Sequence, residues 1–262
     1  MLIVLHLAQQ TVREAMRRRF LNVILIFAIV MIGASSMFSQ WAPGAELKMM
    51  LDTGLGFIRF FGMLMAVFIG AILIPTELEK KTAHVLLSKP VSRSHFLLGK
   101  FLGAFATVGI NIVVMGAVFV LLMFAKRDSF EHVPNLYSNL AYAVLLLACE
   151  MLVLLSVTVM ISTVASWVFT SVFAFSVYFA GHLSASLRHL ATPEYYESAL
   201  ARGIIKVLYV VLPHFEDFDL REAIVVGDPI EWAMISKIVG LGLLYATVMI
   251  VLGWLFFSER EV

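Results

Sequence analysis

Six long apolar runs, near residues 20–39, 53–75, 101–125, 139–164, 167–187 and 235–257, alternate with polar intervals along the chain. A run of twenty residues makes a helix of roughly 30 Å at about 1.5 Å per residue, the thickness of a bilayer's hydrocarbon core. The pattern predicts an all-α polytopic membrane protein with six transmembrane helices, one transmembrane domain over residues 1–262. Ahead of the first run, Leu5, Ala8, Val12, Met16 and Phe20 recur every three to four residues, with Gln9, Arg13, Glu14 and Arg17 off that stripe. This spacing predicts an amphipathic helix over residues 1–19 lying in the membrane interface. A secretory leader is the competing reading, but the basic part is too long and helical for one, and the apolar run that follows is long enough to span. Only Ser162, Thr163 and Ser166 separate the fourth and fifth runs, which must therefore form a tight hairpin.

The longest charged interval between two apolar runs covers residues 76–100. Thr76 and Glu79 have capping-box spacing, so a helix is expected to start at Glu77. Glu77 and Lys81 sit at i,i+4 with the acid first, the favourable order. Pro90 disfavours helical geometry at Lys89 and stops that helix near Leu87 or Ser88. Ser92 can cap a second helix that runs through Phe96 and Leu98 into the third apolar run.

Composition agrees with the pattern. Charged residues make up 14% of the chain and hydrophobic residues 61%, whereas soluble domains carry about a quarter charged residues. Arg13, Arg17, Arg18, Arg19, Lys80, Lys81, Lys89, Arg93, Lys100 and Arg260 fall on one side of the predicted spans. The other side's short loops hold only Lys48, Lys126 and Arg127. The positive-inside rule thus makes both termini and the 76–100 segment cytoplasmic. The connection over residues 188–231 becomes extracytoplasmic, and its excess of acids, among them Glu216, Asp217, Asp219 and Asp228, fits that side.

No phosphate-binding loop is present, since Gly99–Lys100 lacks both the earlier glycine and the following Ser/Thr. Neither a H-E-x-x-H nor a G-x-S-x-G motif occurs, so the chain is not expected to be an enzyme or to bind a metal or cofactor itself. No basic cluster carries interleaved aromatics, which argues against nucleic acid. Cys149, alone, excludes an intramolecular disulfide. Within the spans, Arg59, Asn111 and Glu150 stand out, because a charge in hydrocarbon costs a few kcal/mol or more unless paired or hydrated. They line a substrate path, or Glu150 pairs with Arg59 or Asn111 to fix helix packing; the residues leave both readings open. His182 reads as an interface residue.

The run E-L-E-K-K-T-A-H-V-L-L-S-K-P-V-S-R-S-H-F-L-L-G-K-F resembles the cytoplasmic signature of type-2 ATP-binding-cassette (ABC) transporter permeases. The shared positions are Glu79, Thr82, Leu86, Leu87, Pro90, Val91, Ser92, Arg93, Gly99 and Lys100. The outer Leu-Pro-x-Phe-x-x-Phe stretch, Leu212 to Phe218, is similar too, and the flavour is that of permeases of nitrous-oxide-reductase maturation and gliding motility. The resemblance implies an ABC transporter subunit, an exporter in the cytoplasmic (inner) membrane of a prokaryote. It also implies a homodimer, or a pair with a sister permease, docked on two ATPase subunits that bind ATP and Mg. By the same likeness, the helix from Glu77 to Leu87 is a coupling helix, with Glu77, Glu79, Lys81, Thr82, Leu86, Leu87, Pro90, Arg93 and Lys100 as coupling residues.

Two other roles compete: a non-transporting component whose ATPase drives work on an extracytoplasmic protein, and an ion-coupled carrier using Glu150 and Arg59. If the coupling helix transmits force, Leu86→Pro abolishes permease-dependent ATPase stimulation and leaves membrane insertion intact. Unchanged stimulation in a reconstituted assay would reject that role.

Overall fold

Hydroxyls inside apolar helices commonly find partners within their own helix, and most of the buried ones here do. A computed structural model describes residues 2–41, 43–79, 92–127, 133–184, 203, 207, 209 and 211–259, without the side chains of Leu78 and Glu79. The elements in order are α1 (Leu2–Met16), α2 (Arg19–Phe38), α3 (Glu46–Leu73), the short α4 (Pro75–Glu79), α5 (Arg93–Ala125), α6 (Leu136–Ser162) and α7 (Trp167–His182). A 3-10 turn (Phe215–Phe218), the short α8 (Arg221–Val226) and α9 (Trp232–Glu259) follow. Ser156, Thr158 and Ser162 of α6 each donate to a carbonyl three or four residues back, at 2.7–2.8 Å, so that α6 is buried without orphaned hydroxyls at these positions.

Every residue from Cys149 to Val159 on α6 is buried, which marks it as the central helix. It packs against α3, α5, α7 and α9. The outer ring carries apolar side chains on the surface: Val23, Phe27 and Val30 on α2, Val172 and Phe179 on α7, Leu244 and Val248 on α9. Among the described residues five helical stretches are long and apolar enough to cross a membrane: Arg19–Trp41, Glu46–Glu77, Arg93–Ala125, Leu136–Ser162 and Trp232–Glu259. The chain is an all-α, multi-pass membrane protein.

The fifth predicted span differs. α7 has 16 residues and ends at His182 rather than near residue 187, a length of about 24 Å. The chain closes over its end instead. Phe215, fully buried, lies against Tyr178 and His182. Gly181 makes this possible, since a Cβ there would sit 2.5 Å from the Phe215 ring and 2.7 Å from the Pro213 carbonyl.

The helix ends also depart from the apolar runs. α3 begins at Glu46, seven residues before the predicted span, and α5 at Arg93, eight before. Ser92 caps α5 as expected, accepting from the His95 amide. Thr76 does not cap: α4 starts at Pro75, and the Thr76 hydroxyl donates back to the Ile72 carbonyl at 2.5 Å. The tight hairpin is present, with α6 ending at Ser162 and Ser166 preceding α7.

On α1 the packing face is Val4, Leu7, Thr11 and Ala15, one position off the predicted stripe, and Leu5 and Met16 are exposed. The partner dictates this choice. α5 presents Gly99 and Gly103 to α1; a Cβ on Gly103 would meet the Ala8 carbonyl and the Thr11 Cβ at 2.6 Å each. Only glycines, which carry no side chain, allow such closeness, and small Thr11 and Ala15 supply the other half. Gly103→Val should therefore cost about 1–3 kcal/mol by forced displacement of α1. Gly109→Val, where an added Cβ meets nothing within 4 Å, should stay within about 0.5 kcal/mol. Thermal unfolding of the purified protein in detergent measures both.

Candidate functional site

Two ionic clusters lie at opposite ends of the helix bundle. The first starts from Arg59, three turns into α3, whose side chain is 12% exposed. Its Nε donates to Glu150 Oε2 of α6 at 3.2 Å, and its Nη1 to Asp219 Oδ2 at 2.9 Å. Asp219 follows the Phe215–Phe218 turn and also takes the Arg221 guanidinium and main-chain amide. Arg221 reaches on to Asp52 of α3 at 3.7 Å. On the far side of Glu150, His182 Nε2 stands 3.5 Å from Oε1.

A fully buried carboxylate is tolerable only because a guanidinium faces it, and that guanidinium in turn is neutralised twice. Burial opposes ionisation of Asp219, but the Arg221 hydrogen bonds and the Arg59 charge outweigh it and hold its carboxyl well below the usual carboxylate range. The folded value lies below the unfolded one, about 3.9. Stabilisation from Asp219 is thus fully present above that pH and is lost only as pH falls through the folded value.

Of the three polar residues the sequence singles out within spans, Arg59 and Glu150 do pair. Asn111 does not join them: it is buried, and its Nδ2 donates to the Thr107 carbonyl of its own helix at 2.8 Å. Sequence reasoning missed Asp52, Asp219 and Arg221, and took His182 for an interface residue. The available signal was Asp219 itself, one residue after the Leu212–Phe218 stretch that carries the family likeness.

The second cluster joins α1, α4 and α5. Lys100 is buried on α5, its Nζ 2.6 Å from Glu77 Oε1 of α4 and 3.9 Å from Glu14 Oε2 of α1. Glu14 also takes Arg18 at 2.9 Å. A cavity of about 270 Å³ opens beside them, floored by Phe20, Phe68, Ile69 and Trp167. Near it, Arg93 at the start of α5 donates to the Phe257 and Ser258 carbonyls at 3.0 Å and so ties down the C-terminal end of α9, the favourable end for a cation. Its guanidinium also lies 5.9 Å from the centre of the Phe257 ring.

Of the predicted coupling residues, Glu77, Arg93 and Lys100 are therefore interlocked with neighbouring helices. Lys81, Thr82, Leu86, Leu87, Pro90 and the Glu79 side chain lie outside the described residues. Among the described residues no group of three His, Cys, Asp or Glu could hold a metal ion.

Arg59→Met strands Glu150 without its counter-ion and should cost about 3–5 kcal/mol, whereas Arg59→Met combined with Glu150→Met should recover most of that loss. Asp219→Asn should cost on the order of 2 kcal/mol alone and much less in the Arg59→Met background. Unfolding in detergent at neutral pH reads all four variants; equal costs for Asp219→Asn in both backgrounds would show that the two groups are uncoupled.

The profile of the ABC-2 family transporter proteins matches residues 5–262. No curated protein matches the chain. The match covers nearly the whole sequence, and with it the helices, the 76–100 signature and the Phe215–Phe218 turn: the chain belongs to the ABC-2 family of transporter proteins, as a membrane permease component of an ABC transporter.

Proposed function

We propose that this chain is the permease of an ATP-driven exporter, working as a homodimer or with a sister permease on two ATPase subunits in a prokaryotic inner membrane. The observation that carries the reading is the set of ties on either side of residues 80–91. Glu77 leads into that segment, and Arg93 and Lys100 follow it. Lys100 clamps α5 to α4 and α1, and Arg93 clamps α5 to α9. A displacement of the segment by an ATPase therefore reaches three long helices and the N-terminal helix together, as a rigid body. Small apolar cargo fits the character of the second cleft, a groove of about 440 Å³ between α9 and the outer turn, walled by Val153, Phe218, Gly242 and Val248 with Asp217 and Tyr245 in its lining.

Co-purification with an ATPase subunit, followed by ATPase assays in proteoliposomes, tests the reading. Lys100→Met should insert and pair normally and lower permease-dependent stimulation about five- to tenfold, the range of ordinary allosteric coupling. Full stimulation by that variant would remove the clamp from the transmission route. Stimulation without ATP-dependent loss of any apolar dye or lipid from the vesicles would favour mechanical work on an extracytoplasmic protein instead.

A further inference from the structure

Glu150 Oε1 and His182 Nε2 are both buried, 3.5 Å apart, and neither has a hydrogen-bond partner. The rest of each group is committed. Oε2 of Glu150 takes the Arg59 guanidinium. Nδ1 of His182 lies 3.1 Å from the Tyr178 carbonyl, which can only accept, so Nδ1 carries the ring hydrogen. In a neutral ring Nε2 is then a bare lone pair, and it points at a carboxylate lone pair. Two acceptors face each other 3.5 Å apart, and the Tyr178 hydroxyl beside them is engaged with the carboxylate.

The charges around them are also one short. Arg59 and Arg221 supply two positive charges, and Asp52, Asp219 and Glu150 supply three negative ones. One further proton turns the opposed acceptors into a hydrogen bond and brings the cluster to neutrality. The groups that face the pair are Arg59 from α3, the Tyr178 hydroxyl from α7, and Asp219 and Arg221 from the outer segment. Among the described residues no ion pair reaches it from α5 or α9. The His182 side chain is a quarter exposed, at the end of α7 nearest the outer turn, which gives a proton a way in.

We propose that Glu150 and His182 form a binding site for one proton, held between Oε1 and Nε2. Loading it locks the end of α7 to α6. Because the Phe215 ring stacks on His182 at 5.5 Å, the outer turn is locked with it. Losing the proton sets two lone pairs against each other and loosens the same contact. The device is independent of any ATPase.

The test uses the full-length protein in lipid nanodiscs, titrated between about pH 5 and 9 with infrared difference spectra of histidine-labelled protein. One ionisation is expected, seen as a carboxylic-acid stretch or an imidazolium band. It should vanish in both Glu150→Gln and His182→Gln, each of which supplies a side-chain amide N–H donor that does not titrate. The folded-to-unfolded ratio of the wild type should fall by up to tenfold per pH unit between the unfolded histidine value, about 6.5, and that ionisation, then level off, and this component should be absent from both variants. Persistence of the ionisation in either variant overturns the site. The wild type decides alone if the variants do not fold: a carboxylate beside a neutral ring across the whole range would also overturn it.

Discussion

A guanidinium placed where water cannot screen it must be neutralised by protein, and Arg59 meets that demand with carboxylates from two distant parts of the chain. The Glu150 contact fixes how α3 and α6 are rotated against each other, and α6 is the helix on which α5, α7 and α9 pack. The Asp219 contact then draws the outer connection down onto the bundle, where the Phe215 turn caps the short α7. Removing the charge at Arg59 would leave Glu150 without a counter-ion and Asp219 with Arg221 alone. Hydrocarbon leaves no alternative hydration for a misplaced charge. Specificity of helix arrangement, more than raw stability, is the contribution of such a cluster in an otherwise apolar interior.

The opposite end uses the same physics for a different purpose. Lys100 is also a buried cation between carboxylates, but its partners lie on elements that meet beside residues 80–91. One cluster organises the bundle where the segment from Phe215 to Arg221 folds in. The other organises it on either side of residues 80–91. Between them lie helices whose polar groups, such as Asn111 and Thr158, are satisfied within their own turns and leave the intervening packing to apolar contacts.

Hydropathy reads out apolar helix: residues 20–39 fall on α2, and the Ser162–Ser166 break falls between α6 and α7. It does not report where a helix ends. Glu46, Lys48 and Asp52 looked like loop residues because they are polar, yet they extend α3 as ordinary helix. The Arg59–Glu150 pair was legible because a buried charge needs a counter-charge and few candidates existed. Asp219 was not, since nothing local announces that a connection 160 residues away folds back to the same depth. On α1 periodicity picked out the stripe through Leu5, Ala8, Val12 and Met16, whereas the face packed in the bundle is set by Gly99 and Gly103, residues on another helix. Pair geometry decided what single-helix patterns could not.

The close seat of α1 on α5 has a consequence for synthesis. Leu7 and Thr11 meet Gly99 and Gly103, which emerge roughly ninety residues later, some 5–20 s at ordinary translation rates. For that interval the first helix has no partner, and a basic, amphipathic segment on the membrane surface is a form that can wait. The third long helix then arrives with a glycine groove into which the waiting helix settles. The Arg59 cluster closes later still, once Asp219 is made. The two ionic clusters are thus completed in order, the Lys100 end first and the Arg59 end last, so the growing chain is clasped at one end before the other can shut.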